Sequence, residues 1–337
     1  MSEPDVGTAM TELKTRAEIK GERIVINGVK RWCSGAGHAQ GYVLYCRLAD
    51  KPGAAGVGAV YLEKGTPGLS FGKPEQFMGA RGFHNAEIYL DEVEVPVENI
   101  VVPAGGVKDL MRSFNMERLG NSTCALGIAA SALEVALAYT QERHQFGKPL
   151  VDFQAVQLRL AEMKIDVEAA RLLIHRAAQG AEDGLPSLLD TSVAKCFANE
   201  AVRRVVTHGV QVMGAYGYST AYPMEQKMRD AWLWGIGGGH IDLQKVNIAG
   251  ELVGRRFSQR LGRHATACRR SNTGEDAEAD ARHRRHTRRR LIQNVVRICE
   301  HPPVTIHERP TVPSPSSRSL PHPRRPLVHP DAGGPGR

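Results

Sequence analysis

Residues 153–179 read FQAVQLRLAEMKIDVEAARLLIHRAAQ, and apolar side chains recur along this stretch every three or four positions. That spacing follows the 3.6-residue period of an α-helix, and the run is too long for a strand. Charged residues mostly lie off the apolar stripe, which consists of Val156, Leu160, Met163, Val167, Ala170 and Ile174. The stretch therefore predicts an amphipathic helix that buries one face against other helices.

Helical periodicity continues on both sides of this stretch. It spans residues 108–141 and 188–213, and it returns over residues 241–256. Helix-ending residues punctuate the junctions, namely Pro149, Gly184, Pro186 and Gly214. Residues 106–257 are therefore predicted to form an antiparallel four-helix bundle.

Residues 1–105 have the pattern of strands instead. Tyr42 to Leu48 is a nearly continuous apolar run, Ala59 to Leu62 is a second run, and apolar residues alternate from Ala86 to Val95. Asn27-Gly28 stands between two β-rich runs and predicts a hairpin turn. Because turns rich in Gly and Pro separate these runs, we predict an antiparallel β-sandwich or barrel. The fold class is then α+β.

Residues 258–337 lose all periodicity. They contain 16 Arg, no Lys and 7 acidic residues, so the formal net charge of +8 lies in this segment and residues 1–257 are nearly neutral. Such a composition cannot bury enough apolar surface to offset the entropy of ordering, and we predict a disordered Arg- and Pro-rich tail. Abrupt loss of Lys with gain of Arg and Pro is typical of a GC-rich gene read in a shifted frame. The alternatives are an arm that binds nucleic acid and another kind of solvated tail.

Cysteine spacing and the amino terminus bear on the compartment. The six cysteines are far apart and lack CxxC spacing, which indicates free thiols in a reducing compartment and no metal site. No apolar run approaches the ~20 residues that span a membrane, and residues 1–5 lack the features of a signal peptide. We expect a cytoplasmic protein with neither a membrane nor nucleic acid as the partner of its globular part.

Six short segments carry the candidate chemistry. Each alone has an ordinary structural explanation, such as a turn, a helix end or a glycine loop. In chain order they are SEPDVGT (2–8), WCS (32–34), VPVEN (95–99), RHQFGKP (143–149), QVMGAYGY (211–218) and GGGHIDLQ (237–244). Together they resemble the acyl-CoA dehydrogenase family, whose usual pattern is TEPxxGSD, W-I-T/S, Val-Pro-x-x-Asn, RxQFGKP and QxxGGxGY, followed by a loop and a final helix. The resemblance covers about residues 2–257.

The resemblance implies a β-domain over residues 1–105, a helical bundle over residues 106–257, and FAD between them. It also implies a homo-oligomer, a tetramer or a dimer, with electron-transferring flavoprotein as electron acceptor. The residues it assigns to the flavin side are Ser2, Gly7, Thr8, Trp32, Cys33, Ser34 and His240, the last where the family usually has Thr. Those it assigns to the ADP half of an FAD bound to a neighbouring subunit are Arg143, Phe146, Gln211 and Gly214.

The implied reaction removes hydrogen from the α and β carbons of an acyl-CoA thioester, and it needs a carboxylate as base. Many family members carry that glutamate in a Tyr-Glu-Gly-Thr loop, where this chain has Gly238. Members of the isovaleryl-CoA and long-chain type carry it on the first bundle helix in a Glu-Arg pair, which matches Glu117-Arg118 here. Glu117 follows Phe114 by three positions and Leu110 by seven, so we expect it on their inward stripe. The alternative is a surface ion pair.

The family has an all-helical amino-terminal domain before the SEP-like segment, and this sequence starts on that segment. We therefore expect the domain to be absent and the sequence to be an incomplete form of an acyl-CoA dehydrogenase. An inactive fragment stays open as the alternative to an active enzyme, since that domain helps exclude water from the acyl pocket. Three rival functions stay open: an acyl-CoA reductase of the same fold, a desulfinase that needs no base, and nucleic-acid binding through the Arg-rich tail.

Overall fold

A computed structural model describes residues 1–182, 184–255 and 257. Its first part is one seven-stranded sheet. The strands are β1 (Arg16–Lys20), β2 (Arg23–Ser34), β3 (Gly41–Arg47), β4 (Val57–Glu63), β5 (Leu69–Phe71), β6 (Asn85–Pro96) and β7 (Ile100–Val102). They lie in the order β5-β6-β2-β1-β3-β4-β7. Neighbours pair antiparallel except β1 and β3, which meet in parallel register at Arg16 and Arg47.

The alternation read from the sequence places the sheet core correctly. Along β6, Ile88, Leu90, Val93 and Val95 are buried in one cluster with the apolar residues of β2, β3 and β4. Alternate side chains of a strand point to opposite faces, and this places Ile88 with Leu90 and Val93 with Val95. Leu90 and Val93 are three positions apart, and they share the buried face because the register with β2 shifts between them, as in a β-bulge.

The hairpin predicted at Asn27-Gly28 is wrong. Both residues lie inside β2, where the register with β6 shifts between Ile26 and Gly28, as in a β-bulge. A side-chain Cβ at Gly28 would lie 2.6 Å from Thr15 Oγ1, so the glycine permits a close approach of another chain segment. The turn that joins β1 to β2 is instead at Gly21, whose φ of 62° suits glycine.

The second part is helical. It contains α1 (Val107–Glu142), α2 (Gln154–Gln179), α3 (Leu188–Met213), α4 (Ala215–Tyr218), α5 (Met224–Asp230), α6 (Leu233–Ile236) and α7 (Ile241–Leu252). A two-stranded ribbon, β8 (His144–Gln145) with β9 (Lys148–Pro149), links α1 to α2. Helix α3 contacts α1, α2 and α7, so the four long helices form the predicted bundle. The predicted fold class, a sheet followed by a helical bundle, is confirmed.

Two details of the helical part differ from the prediction. The last helix ends at Leu252, before the predicted end, and Gly254 follows with a φ of 67°. The short helices α4 to α6 were not predicted, because segments of four to seven residues show no helical period.

The start of α1 lies against the sheet. Val107 is buried with Tyr45 and Val57, and Leu110 and Phe114 contact the same cluster. At the other side, the Met78 carbonyl accepts a hydrogen bond from Arg229 Nη1 at 2.8 Å. These contacts join the sheet to the bundle, and a cleft lined by residues of both lies between them.

Helix α1 also bears on the question of a membrane. Its residues Leu110–Glu142 are long and apolar enough to cross one, judged by length and composition, whereas we expected no such segment. Its buried face consists of Ala125, Ala129, Ala132 and Ala136, which lie against α2 and α3. Only 28% of the most apolar window of this helix is buried, so packing in the bundle core accounts for part of this apolarity. The predicted tail, residues 258–337, lies outside the described residues.

Candidate active site

The cleft between sheet and bundle has a volume of about 1860 Å³. It brings together eight of the twelve predicted site residues: Ser2, Gly7, Thr8, Trp32, Cys33, Ser34, Glu117 and His240. They come from the amino-terminal segment, strand β2, helix α1 and the start of α7. Residues separated by more than 200 positions in the sequence thus line the same cleft.

The amino-terminal segment is fixed by a buried ion pair. Lys30 Nζ lies 2.7 Å from Glu3 Oε1, and the two side chains are 1% and 3% exposed. Glu3 also accepts hydrogen bonds from the amide groups of Lys14 and Thr15. Burial by itself raises the pKa of Glu3, but the hydrogen bonds from Lys30, Lys14 and Thr15 outweigh it and hold the pKa below its usual value. This carboxylate therefore stays ionised and anchors the segment that presents Ser2 and Gly7 to the cleft.

Trp32 offers an aromatic face to the cleft. Its side chain is half-exposed, and its backbone has a φ of 61°, which is unusual for a non-glycine residue and turns the ring out of the strand. The Arg31 guanidinium lies 4.5 Å from the ring centroid and Phe77 packs beside it at 6.1 Å. A flat aromatic ligand can stack on such a ring.

Glu117 lies one turn beyond the part of α1 that contacts the sheet. Leu110 and Phe114 face the sheet, and the same stripe carries Glu117 to the cleft, where its side chain is exposed. The expected inward position is therefore corrected in one respect: Glu117 shares the stripe of Leu110 and Phe114, but that stripe faces the cleft at this point. Other faces of α1, including the one that carries Arg118, are buried in the bundle. The charge of Glu117 helps to raise the pKa of Tyr45, after the larger effect of burial.

A glycine of the loop before α7 faces Glu117. A Cβ at Gly238 would lie 3.3 Å from Glu117 Oε1 and 3.1 Å from Lys195 Nζ, and it would overlap Asn121 Nδ2. The polar side chains of Asn121, Lys195 and Glu117 thus surround the position that a side chain at residue 238 would occupy. Asn121 lies one turn after Glu117 on α1, and Lys195 comes from α3.

Sequence reasoning missed Asn121 and Lys195, and it named Arg118 only as the partner of Glu117 in a motif. Arg118 is buried, and its Nη1 donates to Asn115 Oδ1 at 2.9 Å. Of these residues, Lys195 could have been noticed in the sequence, because it is a charged residue on the buried stripe of α3, between Ser192 and Ala198. A lysine at such a position is rare unless it is paired or functional.

The other predicted site residues lie away from the cleft. Arg143 is at the end of α1, with its guanidinium 5.6 Å from the Tyr216 ring centroid. Phe146 is 93% exposed in the turn of the β8–β9 ribbon, and Gln211 and Gly214 are at the end of α3. None of these four residues lines the cleft, and the resemblance assigns them to an FAD bound to a neighbouring subunit.

The cleft residues fit FAD. The exposed face of Trp32 suits a flavin ring, and the hydroxyl groups of Thr8 and Ser34 and the backbone at Gly7 can serve polar flavin atoms. Nothing lies within 4 Å of a Cβ position at Gly7, so the approach to its backbone is open. The residues that would hold the flavin end of FAD are therefore present in one chain.

Comparison with known proteins agrees with this geometry. The family "Acyl-CoA dehydrogenase, middle domain" matches residues 1–93, and "Acyl-CoA dehydrogenase, C-terminal domain" matches residues 104–253. A 3-sulfinopropanoyl-CoA desulfinase of Cupriavidus necator is 36% identical over 269 residues, which cover 78% of this chain and 68% of that protein.

Solved structures give the same answer. Butyryl-CoA dehydrogenase from Megasphaera elsdenii superposes with a TM-score of 0.73 at 36% identity, over 75% of this chain and 66% of that one. PigA, whose structure contains FAD and proline, superposes with a TM-score of 0.71 at 26% identity, over 75% of this chain and 66% of that one. On this evidence, the chain belongs to the acyl-CoA dehydrogenase family of FAD-dependent oxidoreductases.

Proposed function

We propose that this chain forms the catalytic base and the flavin cleft of an enzyme that converts an acyl-CoA thioester to the 2-enoyl-CoA. Acyl-CoA dehydrogenation is the general activity of its family, and the proposal concerns how this chain performs it. The observation that carries the proposal is the position of Glu117. Its carboxylate is exposed in the cleft, directly opposite Gly238, where many relatives by resemblance carry the glutamate base.

Glu117 removes the proton from the α carbon. The electron pair of that C–H bond becomes the α,β double bond as the β carbon loses a hydride, so the substrate loses two electrons and two hydrogens. Bound FAD supplies the acceptor of the hydride. Glu117 ends the step protonated and must return its proton to solvent, which its exposure to the cleft allows.

The test is Glu117→Gln in the FAD-loaded protein. The amide keeps the size of the side chain but cannot accept the proton, so the rate of flavin bleaching by an acyl-CoA should fall by about 10²–10⁴-fold. Anaerobic stopped-flow absorbance measures that rate. The matched control is Glu134→Gln, an exposed glutamate of the same helix outside the cleft, which should bleach at the wild-type rate. Wild-type bleaching in the Glu117 variant contradicts the assignment.

A desulfinase is the second candidate, because the 36%-identical relative from Cupriavidus necator carries that name. Hydrolytic loss of the sulfino group from 3-sulfinopropanoyl-CoA breaks the carbon–sulfur bond: the carbon takes a proton from water, the sulfur takes hydroxide and leaves as sulfite. No α C–H bond breaks, so no base for the α proton is needed. Turnover of 3-sulfinopropanoyl-CoA that is undiminished in the Glu117→Gln variant favours this candidate. Turnover confined to thioesters without a sulfino group excludes it.

We also propose that the active form is a homo-oligomer. Leu158, Ile165 and Leu172 are seven positions apart on α2, and each is 60–66% exposed. They therefore form one apolar stripe on the outer face of the bundle, which a second copy of the chain can cover. Contact between copies also gives Arg143, Phe146, Gln211 and Gly214 access to an FAD held by a neighbour.

Electron-transferring flavoprotein is the proposed acceptor of the electrons, by family resemblance. The reduced protein should transfer them to purified electron-transferring flavoprotein faster than to oxygen. Stopped-flow reoxidation with and without that partner measures the difference, and equal rates argue for another acceptor.

A further inference from the structure

Lys195 is a buried cation that faces the glycine loop. Its side chain is fully buried in α3, and its ammonium donates a hydrogen bond to the carbonyl oxygen of Gly237. Two neighbours on α3 hold the following residues. Ser192 Oγ donates to Gln244 Oε1 at 3.2 Å, and Cys196 Sγ donates to the Ile241 carbonyl at 3.4 Å. One face of α3 thus fixes the chain from Gly237 into α7.

A charged group is a costly way to make such a link. Burial and, to a lesser degree, the nearby Arg118 lower the pKa of Lys195 to about 8, although Glu117 and Cys196 act in the opposite direction. Ser192 shows that a neutral donor can hold the same segment. An ammonium at this position therefore suggests a role for its charge as well as for its hydrogen bond.

The charge faces the proposed base. Lys195 Nζ is 3.1 Å and Glu117 Oε1 is 3.3 Å from the same point beside Gly238, so these two atoms are no farther apart than the sum of those distances. Arg118 and Glu117 on α1 and Cys196 on α3 are the titratable groups that act on Lys195. Glu117 is the carboxylate among them, and its negative charge favours the charged form of Lys195.

We propose that Lys195 is a positioning residue for Glu117, holding the Gly237 carbonyl so that the Gly238 backbone forms one side of the base's site, and placing a positive charge opposite its carboxylate. This inference rests on the proposed role of Glu117 as the base. Lys195 does not line the cleft and so acts through Glu117 and the loop, not on the substrate.

The experiment compares Lys195→Met, Lys195→Gln and Lys195→Arg in the FAD-loaded protein. The probe is whichever of butyryl-CoA, glutaryl-CoA and cyclohex-1-ene-1-carbonyl-CoA bleaches the wild-type flavin fastest. Lys195→Met should lower the limiting rate of bleaching at least 10-fold and change the thioester concentration at half-saturation less than 3-fold. Lys195→Gln, which keeps a donor without the charge, should fall as Lys195→Met does, and Lys195→Arg should recover part of the rate.

Two further readouts separate positioning from general stability. Hydrogen exchange of the backbone amides of residues 237–240 should quicken in Lys195→Met. The wild-type bleaching rate should fall as the pH rises through about 8, where Lys195 loses its charge, and this fall should be missing in Lys195→Met. The matched control is Lys245→Met, because Lys245 also joins α7 to α3, through Glu200 at 2.5 Å, but does so at the surface.

A wild-type limiting rate in Lys195→Met or Lys195→Gln overturns the proposal, as does a loss shared equally by Lys245→Met. The Glu117→Gln variant is measured alongside. If that variant bleaches normally, the assignment of the base fails. If it is inactive while the Lys195 variants are normal, only the role of Lys195 fails.

Discussion

Glu117 Oε1 and Gly238 lie next to each other in the cleft wall, with the carboxylate oxygen 3.3 Å from the position that a Cβ on Gly238 would take. The two positions at which the family carries its base, by resemblance, are therefore neighbours in space. One is on α1 and the other is in the loop before α7. Only one of them carries a carboxylate in this chain. Its neighbours Asn121 and Lys195 occupy the space that a side chain at position 238 would need.

The first prediction is that Gly238→Ala is poorly tolerated. Gly238 has a φ of 65°, which costs an alanine about 1–2 kcal/mol, and the new Cβ overlaps Asn121 Nδ2. Bleaching of the flavin by acyl-CoA should slow, and the free energy of unfolding in urea should fall. Gly237→Ala is the matched control, because its φ is −66° and the nearest atom is 3.6 Å from its Cβ position. Equal effects of the two substitutions would argue against the steric explanation.

The same clash makes transfer of the base to the loop unfavourable. The double variant Glu117→Gly, Gly238→Glu should not recover the activity lost in Glu117→Gly. The reason is that the Cβ of the new glutamate would overlap the side-chain amide of Asn121. Adding Asn121→Ala relieves the overlap and should recover part of the rate. Stopped-flow bleaching of the three variants measures this, and full recovery without the Asn121 change contradicts the geometry.

The third prediction concerns the dependence of stability on pH. Lys195 has a pKa of about 8 in the folded chain and 10.5 as its ordinary value, so between these values the unfolded chain binds more protons. The free energy of unfolding of the wild type should therefore rise with pH in this window, by up to about 3 kcal/mol relative to Lys195→Met. Urea unfolding of both proteins at pH 7.5, 9 and 10.5 measures the difference. A difference that does not change with pH contradicts the lowered pKa.

The fourth prediction concerns the buried pair of Glu3 and Lys30. Lys30→Met leaves a buried carboxylate without its cation and should cost about 3–5 kcal/mol of stability. The lowered pKa of Glu3 means that its contribution is present above its ordinary value of 4.5 and is lost as the pH falls below that value. Urea unfolding at pH 7 and pH 4 tests both points. Lys14→Met, which breaks the exposed pair with Asp5, should change little.

Sequence pattern identified the elements of this fold better than the contacts between them. Helices α1, α2 and α3 follow from periodicity, and so do the two halves of the buried stripe of β6, which meet at the register shift between Leu90 and Val93. Asn27-Gly28 was misread as a turn because the reason for the glycine is Thr15, a contact from another part of the chain that no local pattern contains. Lys195 was missed for the same reason, since its partner Gly237 lies 42 residues away.

The candidate site divides in the same way. Trp32, Ser34, Glu117 and His240, which the motifs identify, all line one cleft, and their roles toward flavin and substrate stay predictions. The polar surroundings of Glu117 needed the structure, because α1, α3 and the loop before α7 converge there. The predicted contacts of Arg143, Phe146, Gln211 and Gly214 with FAD stay predictions.

The last prediction concerns the apolar stripe on α2. Ile165 is at its centre and is 66% exposed, so Ile165→Asp should place a charge in the proposed contact between copies without disturbing the core. The FAD-loaded wild type should be a dimer or tetramer by analytical ultracentrifugation, and the variant should be smaller. The variant should also lose FAD more readily, because Arg143 and Phe146 of a neighbour no longer reach it. Ile19→Lys is the control: Ile19 is 52% exposed on β1, outside the stripe, so mass and FAD content should stay at wild-type values. A wild-type mass for Ile165→Asp, or an unassociated wild type that holds FAD fully, means that this stripe does not join the copies.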